Sequence, residues 1–360
     1  MEAHFILSKS KVLEQYDIIK NLCDEVSYSF KTNTEVGMIL ERYSDSEFSV
    51  HSIENAGKIK DKERIWLFPQ GWDKEQINLL LEKGIRKFVI DNEPDLDMLI
   101  EFISNINNNN QLIMELIKDN KIDIMLRMRM KENTVHTGRY FVFGMYSEKI
   151  NKLIPELRKN KNIGKLGIHF HRKTQNVSEW SIKYEIEQVI DEKTLECIDA
   201  LNIGGGFPSK YRNYRSDVME NIKAKIKETR DWLNIKGIKL IIEPGRFIAA
   251  SPVELKAKIK SIYDNNIIIN ASVYNSCMDT FISNIKLMVE GELNEDDYKK
   301  GNAKMYTIKG DTPCSIDIFR YRVYLDNLKK GDIITFLNAG AYNFRTDFCN
   351  LIKLKTVIKR

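Results

Sequence analysis

The stretch Leu201–Pro208 reads L-N-I-G-G-G-F-P and places three consecutive glycines directly after an apolar run. That run, Cys197–Ile203, predicts a buried β-strand. Without side chains, Gly204, Gly205 and Gly206 let several backbone N–H groups point at one place, which suits a phosphate. An ordinary flexible loop after a strand fits the same residues. The stretch has neither the G-K-S/T ending of a Walker loop nor the spacing of a dinucleotide-binding G-x-G-x-x-G motif, so its meaning depends on the rest of the chain.

Apolar runs alternate with helical periodicity on both sides of this stretch. The predicted strands are Val26–Phe30, Glu47–Val50, Arg64–Phe68, Lys87–Asp91, Ile122–Met128, Lys165–Phe170, Cys197–Ile203 and Ile238–Ile242. Helical segments with apolar residues at three-to-four spacing lie between them, for example Lys74–Lys83, Asp95–Ser104, Ser147–Lys159 and Ser216–Asn234. Eight strands, each followed by a crossover, within roughly 250 residues are typical of a (β/α)8 TIM-type barrel. An open doubly wound sheet is the alternative.

The rhythm of the sequence changes after Pro252, where helical periodicity weakens. Short β-like runs follow at Val253–Ile262, Ile267–Val273, Ile285–Val289, Lys304–Ile308, Asp332–Leu337 and Leu351–Ile358. Such runs, separated by turn residues, predict a C-terminal all-β domain of the sandwich or barrel type. The first seven residues predict one more strand, and Ser8 predicts the cap of a helix that extends to about Cys23. We therefore expect a barrel at 8–248 and a β domain at 1–7 and 249–360.

The composition limits the classes of function. The chain has 360 residues, 42% of them apolar, and its 56 basic and 51 acidic residues leave a net charge of only +5. The absence of a dense basic stripe argues against a nucleic-acid partner. No apolar run approaches the ~18 residues of a membrane helix, and no signal peptide is recognised. Five scattered cysteines without a C-x-x-C pair favour a reducing cytoplasm.

Barrel enzymes carry their catalytic groups at the C-terminal ends of the strands. Lys31 follows the first predicted strand, His169 and His171 end the sixth, the glycines follow the seventh, and Glu243 with Arg246 follows the eighth. Each has a plainer interpretation: a surface lysine, a metal-binding histidine pair or a structural ion pair. With five histidines and no matching set of acids, we predict no metal site. All of these groups are expected on the same rim.

Together these groups suit pyridoxal 5'-phosphate. Lys31 can form a Schiff base with its aldehyde, while backbone N–H groups and Arg246 hold the phosphate. A carboxylate such as Glu243 keeps the pyridine nitrogen protonated, so that the ring accepts electrons from a carbanion.

Six segments in order resemble the fold-type III, alanine-racemase-like pyridoxal phosphate enzymes, and among them the ornithine/diaminopimelate decarboxylase group. The segments are Y-S-F-K-T-N, H-T-G with F-V-F-G-M (His136–Met145), G-I-H-F-H-R-K-T-Q, G-G-G-F-P, E-P-G-R and N-A-G-A-Y-N-F. The resemblance implies that Lys31 is the Schiff-base lysine and that His171 stacks on the ring. It also implies that Thr174 and Tyr342 bind the phosphate, and that Arg127 lies beneath the cofactor.

The chain departs from this group in a segment that carries a cysteine. The family's decarboxylases have G-P-x-C-D/E-S-x-D, whose cysteine enters the active site of the partner subunit, whereas Gly310–Asp317 reads G-D-T-P-C-S-I-D. Either the loop has slipped by one residue and Cys314 is the proton donor, or that role has moved elsewhere. The resemblance also implies a homodimer with shared active sites.

Further departures concern the substrate. Ala271 and Ser49 stand where the group has acids, one of which grips a distal amine. We therefore expect an amino-acid decarboxylase whose substrate has a neutral, anionic or conjugated distal end, because an unpaired buried ammonium is costly. Candidate substrate contacts are Arg172, Lys173 and Asp317, although the first two could simply point to solvent. The alternatives are a racemase or epimerase, and a non-catalytic homologue that binds a partner protein.

Overall fold

The computed structural model describes residues 1–105, 121–130, 142–214, 218–294 and 303–360. Its main feature is a closed barrel of eight parallel strands, β2 to β9, where β9 pairs with β2 to complete the ring. A separate mixed sheet follows C-terminally. These observations confirm the predicted fold class, a (β/α)8 barrel with a C-terminal β domain, and exclude the open doubly wound sheet.

The barrel strands form where buried apolar runs occur in the sequence. They are β2 (Glu25–Ser29), β3 (Glu47–Val50), β4 (Ile65–Leu67), β5 (Lys87–Ile90), β6 (Ile122–Arg127), β7 (Ile163–His169), β8 (Ala200–Asn202) and β9 (Lys239–Ile242). Fully buried Phe48, Phe88 and Leu201 fill the barrel wall, as expected of strands covered on both faces. Each predicted strand therefore overlaps an observed one.

Helices surround the barrel. They are α1 (Lys9–Lys20), α2 (Thr34–Tyr43), α3 (Ile53–Lys58), α4 (Lys74–Glu82), α5 (Glu93–Asn105), α6 (Ser147–Leu157), α7 (Ile182–Val189), α8 (Glu192–Leu195), α9 (Met219–Ile235) and α10 (Arg246–Ala249). The hydroxyl of Ser8 accepts a hydrogen bond from the Lys11 N–H at 3.4 Å, as predicted for a cap. The predicted start of the last long helix at Ser216 lies outside the described residues. No described helix is both long and apolar enough to cross a lipid bilayer.

The C-terminal sheet, here called the β domain, also includes the first strand of the chain. Its strands are β1 (His4–Ser8), β10 (Val253–Tyr263), β11 (Asn266–Ile269), β12 (Met288–Val289), β13 (Lys304–Lys309), β14 (Ile318–Leu325), β15 (Ile333–Leu337) and β16 (Lys355–Lys359). The order of the main path is β12-β15-β10-β11-β13-β14, and β1 pairs with β10 and β16. Two short helices, α11 (Val273–Ser276) and α12 (Asp279–Ile282), lie between β11 and β12.

Two parts of the β domain differ from the sequence-based expectation. The predicted run Ile267–Val273 ends at Ile269, because Ser272 caps α11 and its hydroxyl accepts from the Tyr274 N–H at 3.2 Å. Strand β14 has no counterpart among the predicted runs. Its Arg320 is buried in an ion pair with Glu292 at 2.6 Å, so the strand lacks the alternation that predicts one.

The β domain contacts the carboxyl end of the barrel. The Asn33 side-chain amide donates a hydrogen bond to the Gly340 carbonyl at 2.9 Å, and the Tyr342 N–H donates to the Thr32 carbonyl at 2.9 Å. These bonds fix the segment around Tyr342 against the turn that carries Lys31. Residues from both parts of the fold therefore reach the same end of the barrel.

Candidate active site

A cavity of about 310 Å³ opens at the carboxyl ends of the barrel strands. Nine of the predicted site residues line it: Lys31, Arg127, His171, Thr174, Gly205, Gly206, Glu243, Arg246 and Tyr342. The other lining residues are Ser29, Thr32, His51, Phe68, Gln70, Val89, Asp91, Phe143, His169, Phe207 and Gly245. The ends of the barrel strands and the β domain together bring Lys31 and Tyr342, which are more than 300 positions apart in the sequence, into one cavity.

Glu243 follows β9 and is only 4% exposed. Its carboxylate accepts hydrogen bonds from the Ser49 hydroxyl at 2.8 Å, the Asn202 amide at 2.9 Å and His169 Nε2 at 3.4 Å. Burial by itself raises the pKa of this carboxyl. The adjacent His169 ring and the hydrogen bonds outweigh burial, and lower the pKa of Glu243 to about 2. The cavity therefore has an ionised carboxylate in its wall at neutral pH.

Two histidines at the end of β7 have different partners. His169 Nε2 faces the carboxylate of Glu243, and His169 Nδ1 is buried without a hydrogen-bond partner among the described residues. The Gly205 N–H donates to His171 Nδ1 at 3.2 Å, which leaves the ring proton of His171 on Nε2. Burial lowers the pKa of His171 to about 3. His171 therefore presents a neutral ring in the cavity wall.

Lys31 lies in a short 3₁₀ turn, Phe30–Thr32, directly after β2. Its amine is open to the cavity and lies 3.3 Å from His51 Nε2. The surrounding protein lowers the pKa of Lys31, the negative charge of Glu243 partly opposes that effect, and Arg127 adds to it. This setting makes the neutral, nucleophilic form of the amine more accessible than it is for a surface lysine.

The glycine loop differs from the sequence-based expectation of three converging donors. The Gly204 N–H donates to the Asn202 side chain at 2.9 Å, and Gly204 is not among the lining residues. The Gly205 N–H is used by His171, so the Gly206 N–H is the donor of this loop that has no partner among the described residues. A side chain at Gly205 would lie 2.6 Å from the Glu243 carbonyl oxygen. Close packing, as well as donor geometry, therefore requires this glycine.

Arg246 is held in place by a buried acid. It forms a two-point ion pair with Asp279 of α12, in which one contact, Nη2 to Oδ1, measures 3.1 Å. It also donates to the Tyr211 hydroxyl at 3.1 Å and, through Nε, to Thr174 Oγ1 at 3.3 Å. Burial opposes the charge, but Asp279 and Tyr211 outweigh it and raise the pKa of Arg246 above its usual value. Much of its positive charge is therefore already neutralised.

A second ion pair lies at another part of the cavity wall. Arg127 at the end of β6 pairs with Asp91 after β5, with 3.1 Å between Nη1 and Oδ1. The guanidinium also lies 5.0 Å from the centre of the Phe143 ring. The flanking motif at His136 lies outside the described residues. Arg127 thus borders the cavity with its charge shared with Asp91.

Cys314 and Asp317, predicted to serve catalysis and substrate binding, do not line this cavity. The sulfur of Cys314 lies 2.9 Å from the Tyr274 hydroxyl in the β domain. Asp317 is 1% exposed, and its carboxylate accepts from the Val273 N–H at 2.9 Å and the Thr312 hydroxyl at 2.7 Å. Within one chain, Asp317 therefore stabilises a turn of the β domain.

Arg172 and Lys173, the other predicted substrate contacts, also lie outside the lining of the cavity. Arg172 is 3% exposed and pairs with Glu185 at 2.5 Å and with Glu179 at 3.4 Å. Lys173 pairs with Glu179 at 3.4 Å. The alternative that Arg172 points to solvent is wrong, because it is buried among acids. Both side chains hold the loop after β7 instead of facing the cavity.

Sequence reasoning missed several residues that build the site. His51 follows β3 and Asp91 follows β5, so the strand-end rule that selected Glu243 could have selected them too. Asn202, which bonds to Glu243, is the last residue of β8 and lies just before the quoted glycines. No strand-end position marks Asp279, because it lies in α12 of the β domain, 33 residues from its partner Arg246.

The chain matches two models of one family. Residues 16–250 match the model described as "Pyridoxal-dependent decarboxylase, pyridoxal binding domain". Residues 245–340 match "Pyridoxal-dependent decarboxylase, C-terminal sheet domain". The resemblance stated from the sequence motifs is thereby confirmed.

Individual relatives are distant. The chain is 24% identical over 220 residues to L-glutamyl-(BtrI acyl-carrier protein) decarboxylase of Niallia circulans. This alignment covers 56% of this chain and 51% of the relative. It is 23% identical over 296 residues to antizyme inhibitor 2 of Xenopus laevis. That alignment covers 74% of this chain and 59% of the relative. The chain thus spans about half of these proteins' length. The solved structure of lysine/ornithine decarboxylase of Vibrio vulnificus with cadaverine shares the fold, with a TM-score of 0.77 at 19% identity. The superposition covers 99% of this chain and 94% of that chain.

Proposed function

The chain belongs to the pyridoxal-dependent decarboxylase family, and on that premise we propose that it releases CO2 from an amino acid with pyridoxal 5'-phosphate as its cofactor. The observation that carries the proposal is the presence of the Lys31 amine and the Glu243 carboxylate in the wall of one cavity. This pair supplies a nucleophile and a fixed negative charge, which are the two groups that such chemistry requires.

The residues of the cavity fit the cofactor. Thr32 Oγ1 is buried without a hydrogen-bond partner among the described residues, and the Gly206 N–H is equally uncommitted. Thr174 accepts a hydrogen bond from Arg246, which leaves its hydroxyl proton available. These three donors suit a phosphate, while Lys31 suits an aldehyde and Glu243 suits a protonated ring nitrogen.

When bound, the cofactor supplies an aldehyde that takes up an amine and a ring that accepts the electrons left by departing CO2. The chain's own residues do the rest. Lys31 provides the amine, and the surrounding protein lowers its pKa and so favours its neutral form. Glu243 holds a negative charge in place, fixed by Ser49, Asn202 and His169. Because those donors are already oriented, the carboxylate needs no rearrangement when charge develops beside it.

We also propose that the distal end of the substrate is not a simple ammonium. Among the described lining residues, Asp91 and Glu243 carry carboxylates, and both already have partners. Ser49 stands at a position where the family has an acid, and its hydroxyl donates a hydrogen bond to Glu243. Ala271 stands at a second such position, and it is apolar and only 1% exposed. A second ammonium would find no uncommitted carboxylate in this wall, which disfavours ornithine and lysine.

A conjugated substrate is one form of this proposal. The relative from Niallia circulans is named for an L-glutamyl group carried on an acyl-carrier protein. A carrier-linked amino acid has an amide or thioester where ornithine has an ammonium, so it needs no distal carboxylate in the wall. The proposal is therefore that free diamine precursors are poor substrates and that neutral, anionic or linked amino acids are better ones.

The proposal includes a homodimer with shared sites. Cys314 lies outside the cavity of its own chain, and Ile316 beside it is 56% exposed. The resemblance of 310–317 to the family's partner-reaching segment supports docking of this loop onto a second copy. Mixing two inactive variants, Lys31→Ala and Cys314→Ala, should restore activity by forming one intact site per mixed dimer. No recovery on mixing would contradict shared sites.

A second candidate function is a non-catalytic binding protein, favoured by the match to antizyme inhibitor 2. The presence of Lys31, His171, Glu243 and Thr174 around one cavity weighs against it.

The decisive experiment incubates the full-length protein and pyridoxal phosphate with a panel of free and conjugated amino acids. Released CO2 supports the decarboxylase, and products of unchanged mass with inverted stereochemistry identify a racemase. No turnover and no bound cofactor support the binding protein. Lys31→Ala is the matched control.

A further inference from the structure

His51 lies in the cavity wall directly beside Lys31. Its Nε2 is 3.3 Å from the Lys31 Nζ, within reach of a hydrogen bond. None of the interactions assigned to the cofactor or to Glu243 uses this histidine.

The His51 ring is held in a fixed orientation. It stacks on Phe68 with ring centres 4.7 Å apart and planes at 7°. Phe68 in turn packs edge-on against His169 at 5.2 Å, and its N–H donates to the Val50 carbonyl at 2.9 Å, which ties it to β3. Ser52, the next residue, caps α3 by accepting from the Asn55 N–H at 3.2 Å. A stacked ring on an anchored backbone presents one nitrogen to the lysine.

The charges around this pair favour a neutral imidazole. The protein around His51 and the positive charge of Lys31 lower the pKa of His51, Glu243 opposes this shift, and His169 and Arg127 add to it. The ring nevertheless remains exposed to the cavity. The lowered pKa makes His51 a weak base that does not retain a proton, so its role is that of a relay that passes a proton from Lys31 to water in the same space.

We propose that His51 is the proton-transfer partner of Lys31. The inference rests on the proposed role of Lys31 as the lysine that takes up the cofactor's aldehyde. As the amine becomes nucleophilic, the N–H bond of the Lys31 ammonium breaks and an N–H bond forms at His51 Nε2. The resulting imidazolium gives up its Nδ1 proton to water. The lysine is left with its electron pair, and no other reactant is consumed.

The test measures how fast the full-length protein, stripped of cofactor, captures added pyridoxal phosphate, followed by absorbance at pH 7. His51→Ala opens space beside the lysine. His51→Phe keeps the stack on Phe68 but cannot carry a proton, and His51→Gln keeps a hydrogen-bonding group that does not titrate. His4→Phe, in β1 of the β domain, is the matched control.

We expect all three His51 variants to capture the cofactor at least tenfold more slowly than the wild type, with the final amount bound unchanged. Added imidazole should speed capture by His51→Ala in proportion to its concentration, whereas His51→Phe should not respond because its ring fills the space. A purely structural role would not produce this dependence on a free base. His4→Phe should behave as wild type.

Wild-type rates in His51→Phe or His51→Gln overturn the inference, as does a folded His51→Ala that imidazole does not rescue. Should His51→Ala fail to fold, the Phe and Gln variants decide the question by their rates. A wild type that captures no cofactor overturns the proposed function and this inference together. A wild type that captures cofactor no faster than the His51 variants overturns the inference alone.

Discussion

Glu243→Gln removes one negative charge from the barrel while keeping the shape of the side chain. The pKa of Glu243 is lowered from 4.5 to about 2 in the folded protein, and each unit corresponds to about 1.4 kcal/mol. The ionised form therefore contributes on the order of 3 kcal/mol at neutral pH. A glutamine can still accept from Ser49 and Asn202, so we expect the free energy of unfolding to fall by about 1–3 kcal/mol.

The sign of the pH dependence follows from the direction of the shift. Because the folded pKa lies below the unfolded one, the stabilisation is complete above about pH 4.5 and is lost as the pH falls toward 2. Urea denaturation at pH 7.5, 5.5 and 4.0 compares the free energy of unfolding of cofactor-free wild type with that of Glu243→Gln. The difference between them should be equal at pH 7.5 and 5.5 and smaller at pH 4.0. Glu14→Gln, exposed on α1, is the control. A difference in unfolding free energy that does not narrow at pH 4.0 would show that the folded protein does not lower the pKa of Glu243.

Three further changes test the packing of the site. Gly205→Ala places a Cβ 2.6 Å from the Glu243 carbonyl oxygen, and overpacking of this kind costs about 1–3 kcal/mol. A cofactor titration should therefore show at least tenfold weaker binding, and unchanged binding would contradict the close approach. Asp279→Asn leaves Arg246 buried without its counter-charge, so urea denaturation should show a loss of about 3–5 kcal/mol; a loss below about 1 kcal/mol would mean that the ion pair is not formed. Ser49→Ala removes one hydrogen bond to Glu243, so stability should fall by about 1 kcal/mol at pH 7.5 and by the same amount at pH 4.0, because a folded pKa of about 2 keeps Glu243 ionised at both values; a loss that shrinks between pH 7.5 and 4.0 would show that Glu243 is already protonated in the folded protein.

The barrel could be predicted because its physical cause is local. A strand buried on both faces needs an apolar run, and Glu47–Val50 has the same bounds in the sequence prediction and in the structure. Strand direction then places Lys31 and Glu243 at one rim, since all barrel strands are parallel. The sequence therefore predicted both the architecture and the two groups on which the proposed chemistry depends.

What could not be predicted depends on ion pairs that form only once the chain is folded. The acid that pairs with Arg246 lies 33 residues away in the β domain, and no local pattern marks it. The acids that pair with Arg172 are only 7 and 13 residues away, at Glu179 and Glu185, but its burial among them follows from the packing of the loop after β7. Strand β14 was missed because its buried Arg320 is tolerated only in the presence of Glu292. In each case a tertiary ion pair overrides what the residue type alone indicates.

Lys31 is proposed to take up the cofactor in the cavity that Glu243 also lines. The most direct measurement incubates the full-length protein with pyridoxal phosphate, reduces it with borohydride and locates the modified lysine by peptide mass spectrometry. We expect a phosphopyridoxyl group on the peptide that contains Lys31, and no label on any lysine in Lys31→Ala. Label on another lysine in the wild type, or none at all, would contradict it.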